Sequence, residues 1–256
     1  MALDFASGEA GAWSFNTFTI IGRCQRTGAL GVAMASSPLA VASRCPIVKA
    51  NVAAISSQAN AHPGLGPLAM NLIELGYSPE KAIAEVSASD RWIEYRQVGV
   101  VDRNGESAVH VGREIADWKG ARTGKNYVAM GNNLPGTMVV EAIEDGWRSS
   151  EREELLEDRM LLAIEAGKAA GGEKGGHLSA GLIVHTHNVY ARTDLRVDMH
   201  VGEPGTDSVD GIRSLFEAYR PLVHYYQDRI QDPLLLPWRD WLKGEDIPFH
   251  PHRDNR

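Results

Sequence analysis

Hydroxyl, amide, amine and imidazole side chains are concentrated between residues 36 and 62, among small apolar residues. The set consists of Ser36, Ser37, Lys49, Ser56, Ser57, Gln58, Asn60 and His62. Polar groups inside Ala- and Val-rich segments must find hydrogen-bonding partners or face a cavity. Because hydroxyls near an imidazole or an amine can perform nucleophilic and acid–base chemistry, this region is the best candidate for a reaction site.

Each of these residues has both a functional and a structural interpretation. His62 could act as a general base for Ser57, since its pKa lies near working pH, or it could make a structural hydrogen bond in a loop. Lys49 lies in an apolar segment, where a buried amine is costly, unless the residue is at an edge and its amine reaches water. Ser36 and Ser37 follow an apolar segment and either support the site or cap a turn.

Further candidates lie later in the chain. Asn132 and Asn133 could hold a substrate amide, or they could form a turn with positive φ. Asp198 and His200 share one face of a predicted strand, where they could relay protons, bind a metal or cap the sheet. The side chains predicted to bind substrate are Ser36, Ser37, Gln58, Asn60, Asn133 and Asp198. No metal ligand set or cofactor is predicted.

Hydrophobic periodicity and turn residues predict the elements that position these groups. Strands are predicted over 17–23, 30–35, 49–57, 96–102, 107–111, 126–131, 179–184 and 194–198. Helices are predicted over 68–75, 79–90, 138–147, 151–167 and 208–226. Blocks of strands alternating with blocks of helices favour an α+β fold, with two antiparallel sheets between helical layers, over a parallel βαβ fold.

Composition narrows the class of function. The 256 residues carry a formal net charge of -7, which argues against nucleic acid or an anionic membrane as the main partner. No apolar run approaches the roughly 18 residues of a membrane span, and residues 1–16 do not have a signal-peptide pattern. Two cysteines are too few for a disulfide framework. We therefore expect a cytoplasmic enzyme with a small-molecule substrate.

The order of motifs resembles a known group, the N-terminal-nucleophile hydrolase superfamily, and more closely its branch called domain of unknown function 1028. The matching segments are Thr17–Arg23, Thr27–Ala33, Gln58–Ala59 with Pro63 and Gly66–Pro67, Arg96–Asp102, Gly131–Asn132, Gly171–Gly172 with Ser179–Ala180, and Asp194–Asp198. The resemblance implies a four-layer αββα sandwich. It does not give a substrate, because fold and function separate easily.

The resemblance also implies catalytic roles. Thr17 occupies the position of the nucleophile, which in the superfamily uses its own freed α-amine as the base. Lys49 lies 32 positions downstream, like the lysine that lowers the pKa of the nucleophile in proteasome-like members. Asn132 and main-chain N–H groups near 58–63 would form an oxyanion hole. If the chain stays uncut, His62 and Ser57 would replace that scheme.

These observations predict a metal-independent hydrolase of C–N bonds in small linear amides or ureido compounds. The alternatives are a non-catalytic scaffold that binds a small metabolite and a cyclohydrolase-type ring opener without a terminal nucleophile. Residues 1–16 are a possible propeptide, 17–231 the domain, and 232–256 a tail. Because the tail contains the apolar segment Leu234–Trp241, we expect it to pack on the surface or on a neighbouring copy in a homo-oligomer.

Overall fold

A computed structural model of the chain describes residues 16–173, 175–199 and 207–244. Within these ranges, ten strands form two antiparallel sheets. The strands are β1 (Thr17–Arg23), β2 (Leu30–Ser36), β3 (Pro46–Lys49), β4 (Ala53–Ala59), β5 (Arg96–Asp102), β6 (Ser107–Val111), β7 (Trp118–Gly124), β8 (Tyr127–Leu134), β9 (Ser179–His185) and β10 (Thr193–Asp198). One sheet has the order β10-β9-β2-β1-β8-β7 and the other the order β3-β4-β5-β6.

Eight α-helices lie within the described residues. They are α1 (Val41–Arg44), α2 (Leu65–Glu74), α3 (Pro79–Ser89), α4 (Met138–Ser149), α5 (Leu156–Ala169), α6 (Ser208–Tyr219), α7 (Val223–Gln231) and α8 (Trp238–Gly244). Helices α2 and α3 pack on the four-stranded sheet, whereas α4, α5 and α6 pack on the six-stranded sheet. The predicted α+β fold, a four-layer αββα sandwich, is confirmed.

The structure corrects the predicted elements at several points, and it adds α1 and α8, which were not predicted. The predicted strand over 49–57 is two strands, β3 and β4, separated by a turn in which Asn51 has φ 59°. Strand β7 was not predicted, because its polar sequence lacks apolar alternation and it lies at the edge of its sheet. The predicted helix over 208–226 is interrupted by a 3₁₀ turn over Arg220–Leu222.

The space between the two sheets has an apolar end and a polar end. At the apolar end, side chains such as Ile21, Met34 and Met130 form a buried cluster with residues of the four-stranded sheet. Alternation along each strand then brings other residues to the same inner faces at the opposite end. These residues are polar: Thr17, Thr19, Ser36, Ser56, Gln58, Gln97 and Asn132, all at most 3% exposed. Polar groups buried this deeply must be hydrogen-bonded to one another or to neighbouring main chain.

Strand β1 is held from its helical side by a close contact at Gly22. A Cβ atom at this position would lie 2.5 Å from Cη2 of Trp147, so only glycine lets the indole of α4 approach the strand. The guanidinium of Arg159 in α5 stacks on the Trp147 ring, with its Cζ 3.9 Å from the ring centre. This packing fixes the strand that carries Thr17.

The C-terminal helices pack on each other. The rings of Tyr225 in α7 and Trp241 in α8 lie 5.4 Å apart, and Leu222, Tyr225 and Leu242 form a small buried cluster. The predicted tail thus packs on its own chain as far as residue 244. Residues 1–15 of the predicted propeptide, and residues 245–256 of the tail, lie outside the described residues. None of the described helices has the length and apolar character needed to cross a membrane.

Candidate functional site

A cleft opens at the polar end of the inter-sheet space and has a volume of about 340 Å³. It is lined by Thr17, Ser36, Pro38, Val41, Arg44, Cys45, Ala59, Asn60, Ala61 and Arg96. Strands from both sheets contribute to it, and α1 forms one wall. The volume lies within the range of small-molecule sites, which is about 300–1,000 Å³.

Three oxygen atoms meet at the floor of the cleft. The Thr17 hydroxyl donates to the carbonyl oxygen of Asn16 over 2.7 Å, the Ser36 hydroxyl donates to the same oxygen over 2.7 Å, and the two hydroxyl oxygens lie 3.0 Å apart. The amide of Ser37 approaches the same carbonyl at 3.4 Å. The Asn16–Thr17 peptide bond therefore has a carbonyl polarised by several donors, next to a hydroxyl.

A network of amide side chains, which we call the inter-sheet network, lies directly behind these hydroxyls. The side-chain oxygen Oε1 of Gln58 accepts from the Thr19 hydroxyl over 2.6 Å and from the Ser56 hydroxyl over 3.3 Å. Its amide nitrogen donates to Oε1 of Gln97 over 2.9 Å and to Oδ1 of Asn132 over 3.2 Å. Gln58 thus joins β1, β4, β5 and β8, which come from both sheets.

The hydrogen bonds of the inter-sheet network fix the orientation of its side-chain amides. The Nε2 group of Gln97 donates to the carbonyls of Gly120 and Gly131, over 3.0 and 3.2 Å, so its Oε1 must be the acceptor for Gln58. Gln58 consequently presents nitrogen to Asn132, which turns the oxygen of Asn132 toward the network and its Nδ2 donors away from Gln58. Asn132 pairs with Thr17 across β8 and β1, so those donors belong to the cleft end of the sheet.

A buried carboxyl group lies behind Ser37. Both oxygens of Glu173 are buried and form no hydrogen bond of regular geometry within the described part of the chain. Burial raises the pKa of Glu173 well above its ordinary value, and the hydroxyl and amide of Ser37 oppose that rise only in part. Next to it, Nδ1 of His177 lies 2.8 Å from Oδ2 of Asp207, and Nε2 of His177 accepts from the Glu173 amide over 3.2 Å.

Two arginines line the cleft and differ in their partners. Arg96 forms an ion pair with Asp90, with a distance of 3.0 Å from Nε to Oδ2, and also donates to the carbonyl of Asn60. Arg44 donates from Nη1 to the carbonyl of Leu39 over 2.8 Å and has no carboxylate partner among the described residues. Burial raises the pKa of the Cys45 thiol to about 12 against the opposing charge of Arg44, so this neighbour is neutral.

The prediction that Lys49 acts beside Thr17 is wrong. Lys49 ends the edge strand β3, its side chain is 52% exposed, and its amine forms an ion pair with Glu74 of α2. The register pairs Lys49 with Ala53, at the opposite end of β4 from Gln58. The structure supports the structural interpretation, in which Lys49 lies on an edge strand and its amine reaches water.

The predicted hydroxyl–imidazole pair of Ser57 and His62 is also wrong. The Ser57 hydroxyl donates to the main-chain carbonyl of His62 over 3.2 Å, and the exposed ring instead accepts from the Gly64 amide through Nδ1, over 3.0 Å. Ser57 lies on the same face of β4 as Ala53 and Ile55, and this face is directed to helices α2 and α3 and not to the inter-sheet space. His62 therefore has the role of a structural loop histidine.

The remaining predicted residues divide between the cleft and its surroundings. Ser36 and Asn60 line the cleft, while Ser37 touches Asn16, whose amide donates to the Ser37 hydroxyl over 3.4 Å. Asn133 is buried within β8 and not in a turn, and its φ of 55° falls where the register between β7 and β8 shifts. Asp198 is exposed and accepts from the Ala40 amide over 2.5 Å, so it supports the cleft wall from outside. His200 lies outside the described residues.

Sequence reasoning missed Arg44, Arg96 and Glu173. Arg44 follows the short apolar segment of α1, and Arg96 begins a strand, but surface arginines occupy such positions equally often, so the sequence carries no distinguishing signal. Glu173 lies between two glycine pairs, which suggested a flexible loop. Within the described residues, no three His, Cys, Asp or Glu side chains are arranged so that they could hold a metal ion.

Comparisons with known proteins place the chain in a family. The model of a "Family of unknown function (DUF1028)" matches residues 17–207, and the chain belongs to this family. The crystal structure of protein SPO2555 from Silicibacter pomeroyi, of the same family model, is 28% identical and has a TM-score of 0.70. The match covers 80% of this chain and 89% of that chain.

A more distant likeness concerns Anbu (ancestral beta-subunit) from Yersinia bercovieri. It is 10% identical with a TM-score of 0.39, over 82% of this chain and 96% of that chain, which is too low to support an argument. A search of curated proteins found no match. The family resemblance predicted from the sequence is therefore confirmed for the DUF1028 branch.

Proposed function

We propose that the protein hydrolyses C–N bonds in small linear amides or ureido compounds without a metal, with the Thr17 hydroxyl as nucleophile. The observation that carries this proposal is the position of Thr17. It begins β1 at the floor of a cleft of about 340 Å³, and its hydroxyl lies 3.0 Å from that of Ser36. Its resemblance to superfamily nucleophiles supports the same assignment.

The proposed mechanism needs a base, and His62, the predicted base of an uncut chain, has its ring on the Gly64 amide instead. The base is the α-amine of Thr17, which titrates near pH 8 once it is free. The peptide bond between Asn16 and Thr17 must therefore be cut first. Supporting this, the Asn16 carbonyl is polarised by the hydroxyls of Thr17 and Ser36, both 2.7 Å from its oxygen.

Cleavage proceeds in two steps, acyl transfer to the Thr17 oxygen and then hydrolysis of the ester. The Thr17 oxygen attacks the Asn16 carbonyl carbon, the C–O bond forms, the C–N bond breaks, and the hydroxyl proton passes to the departing nitrogen. Water then hydrolyses the ester, which leaves the carboxyl group on Asn16 and the free amine on Thr17. On substrate, the amine takes the Thr17 hydroxyl proton as the Thr17 oxygen bonds to the substrate carbonyl carbon, and it passes that proton to the leaving nitrogen as the C–N bond breaks. Water then hydrolyses the ester, which releases the acid and restores the Thr17 hydroxyl.

Asn132 completes the proposed site. We assign the oxyanion donor to Nδ2 of Asn132, because its Oδ1 accepts from Gln58 and Asn132 pairs with Thr17 across β8 and β1. A donor of this kind typically contributes about 10²–10³-fold in rate.

The test combines intact mass with activity. We expect purified protein to lack residues 1–16, and we expect Thr17→Ala to retain them and to lose turnover on a panel of primary amides and ureido compounds by at least about 10³-fold. Thr17→Ser should keep part of the activity. Thr123→Ala, which alters an exposed threonine on β7, is the matched control. The proposal would be refuted if the protein kept residues 1–16 and if the Thr17→Ala variant turned over amides as well as the wild type.

One observation favours a second candidate, a scaffold that binds a small metabolite without cleaving it. The uncut Asn16 is well accommodated, since its amide donates to Ser37 and its carbonyl accepts from Thr17 and Ser36. In that case the mass would remain full-length and no substrate would turn over. Saturable binding of an intact small molecule in the cleft would then be the measured activity.

A further inference from the structure

The cleft contains a positive charge that no carboxylate of the described chain neutralises. Arg44 and Arg96 both line it, but Asp90 pairs with Arg96, with Nε and Oδ2 3.0 Å apart. Arg44 uses Nη1 for the carbonyl of Leu39 and has no acidic partner among residues 16–173, 175–199 and 207–244. A guanidinium has five N–H donors, so most of its hydrogen-bonding capacity remains for a ligand.

The surroundings strengthen a charge at this point. Pro38, Val41, Cys45 and Ala59 are the apolar neighbours of Arg44 in the cleft. Cys45 is 6% exposed and neutral, because burial raises its pKa to about 12, and it therefore cannot act as a counter-ion. A charge among apolar groups interacts more strongly with an opposite charge than it would in water.

The backbone that carries Arg44 is fixed from several sides. The Val41 amide donates to the Ser179 hydroxyl over 3.1 Å, and the Ala40 amide donates to Asp198 over 2.5 Å. Ala40 itself has φ 60°, a conformation that persists only where the surroundings hold it. The Ser43 hydroxyl, in turn, donates to the Ala40 carbonyl over 2.8 Å. The short helix α1 is thus a rigid support.

From this geometry we propose that Arg44 binds a carboxylate group of the ligand, so that the substrates are amides or ureido compounds carrying a carboxylate at the end remote from the scissile bond. A planar carboxylate matches the fork of a guanidinium through two parallel hydrogen bonds. The molecule as a whole has a net charge of -7, so an unpaired guanidinium in its cleft selects anions against the general field. This inference rests on the proposed function for the substrate, but not for the anion site itself.

The test measures binding and turnover separately, with succinamate, which has a carboxylate and a primary amide, and its neutral counterpart succinamide. We expect the wild-type protein to bind succinamate at least about tenfold more tightly, by calorimetry, and to lose this preference in Arg44→Met. Arg44→Lys should retain part of it, since it keeps the charge and loses the fork. Arg152→Met, an exposed arginine between α4 and α5, should change nothing.

Three outcomes would overturn the inference. They are equal affinity for the two compounds, an unchanged preference in Arg44→Met with unchanged melting temperature, and tighter binding of inorganic phosphate than of succinamate at the same concentration. The proposed function fails independently. If succinamate binding depends on Arg44 but no amide is hydrolysed, the carboxylate site is supported and catalysis is refuted. If turnover depends on Thr17 but not on Arg44, catalysis is supported and the carboxylate site is refuted.

Discussion

Replacing Gln58 with methionine removes the centre of the inter-sheet network while keeping the side-chain volume nearly constant. The hydroxyls of Thr19 and Ser56 can rotate toward other acceptors, but Oε1 of Gln97 and Oδ1 of Asn132 would lose the Gln58 donor in a buried site. At about 1–3 kcal/mol for each of these two lost buried hydrogen bonds, the variant should lose about 2–6 kcal/mol of unfolding free energy. For a chain of this size, a loss near 4 kcal/mol lowers the melting temperature by about 8–16 °C.

Urea unfolding followed by circular dichroism measures this loss, with thermal unfolding as a second probe. The matched control is Ser57→Ala, one residue earlier on β4 but facing the helices, where a single hydrogen bond of 3.2 Å to the His62 carbonyl is removed. It should cost about 1 kcal/mol or less. If Gln58→Met were within about 1 kcal/mol of the wild type, or no worse than the control, the network would not hold the two sheets together as argued.

Two further predictions concern charged side chains. Because burial raises the pKa of Glu173, the folded chain keeps a proton there that the unfolded chain loses above the ordinary pKa, so stability should fall as pH rises through that window. Glu173→Gln should reduce this fall between pH 5 and pH 8 in urea unfolding, and Glu85→Gln, at an exposed position, should not; identical pH slopes for the wild type and Glu173→Gln would contradict the prediction. Lys49→Met should change the unfolding free energy by less than about 1 kcal/mol, as expected for a surface ion pair, and leave amide turnover unchanged. A loss of turnover in that variant, with its stability intact, would restore Lys49 to the mechanism.

Much of the fold could be predicted from the sequence, because strands with one inner and one outer face show their alternation directly. Ser78 followed by Pro79 is typical of a helix start, and the Ser78 hydroxyl accepts from the Lys81 amide at the beginning of α3. Strand β7 could not be predicted in this way, since an edge strand needs little apolar surface. The break between β3 and β4 depends on the left-handed φ of Asn51, and the Ala- and Val-rich sequence around it does not indicate a turn.

The site was only partly predictable. Thr17, Ser36 and Gln58 were all predicted as site residues, and they lie in one inter-sheet space because alternation along a strand decides which face a side chain takes. Parity could not show that Lys49 lies on a separate edge strand. Nor could sequence distance show that Ser57 meets the carbonyl of His62 and not its ring, because that choice depends on the path of the loop.

The contact between Gly22 and Trp147 has a consequence for how the protein tolerates change. Gly22 lies five residues along β1 from Thr17, or about 17 Å at the rise of an extended chain. A side chain there would meet the indole at 2.5 Å and force the strand and the helix apart. Since the strand moves as a unit, the displacement would reach the hydroxyl at its far end. A residue with no chemistry of its own thus sets where the Thr17 oxygen lies, and substitutions well away from the cleft should disturb its geometry.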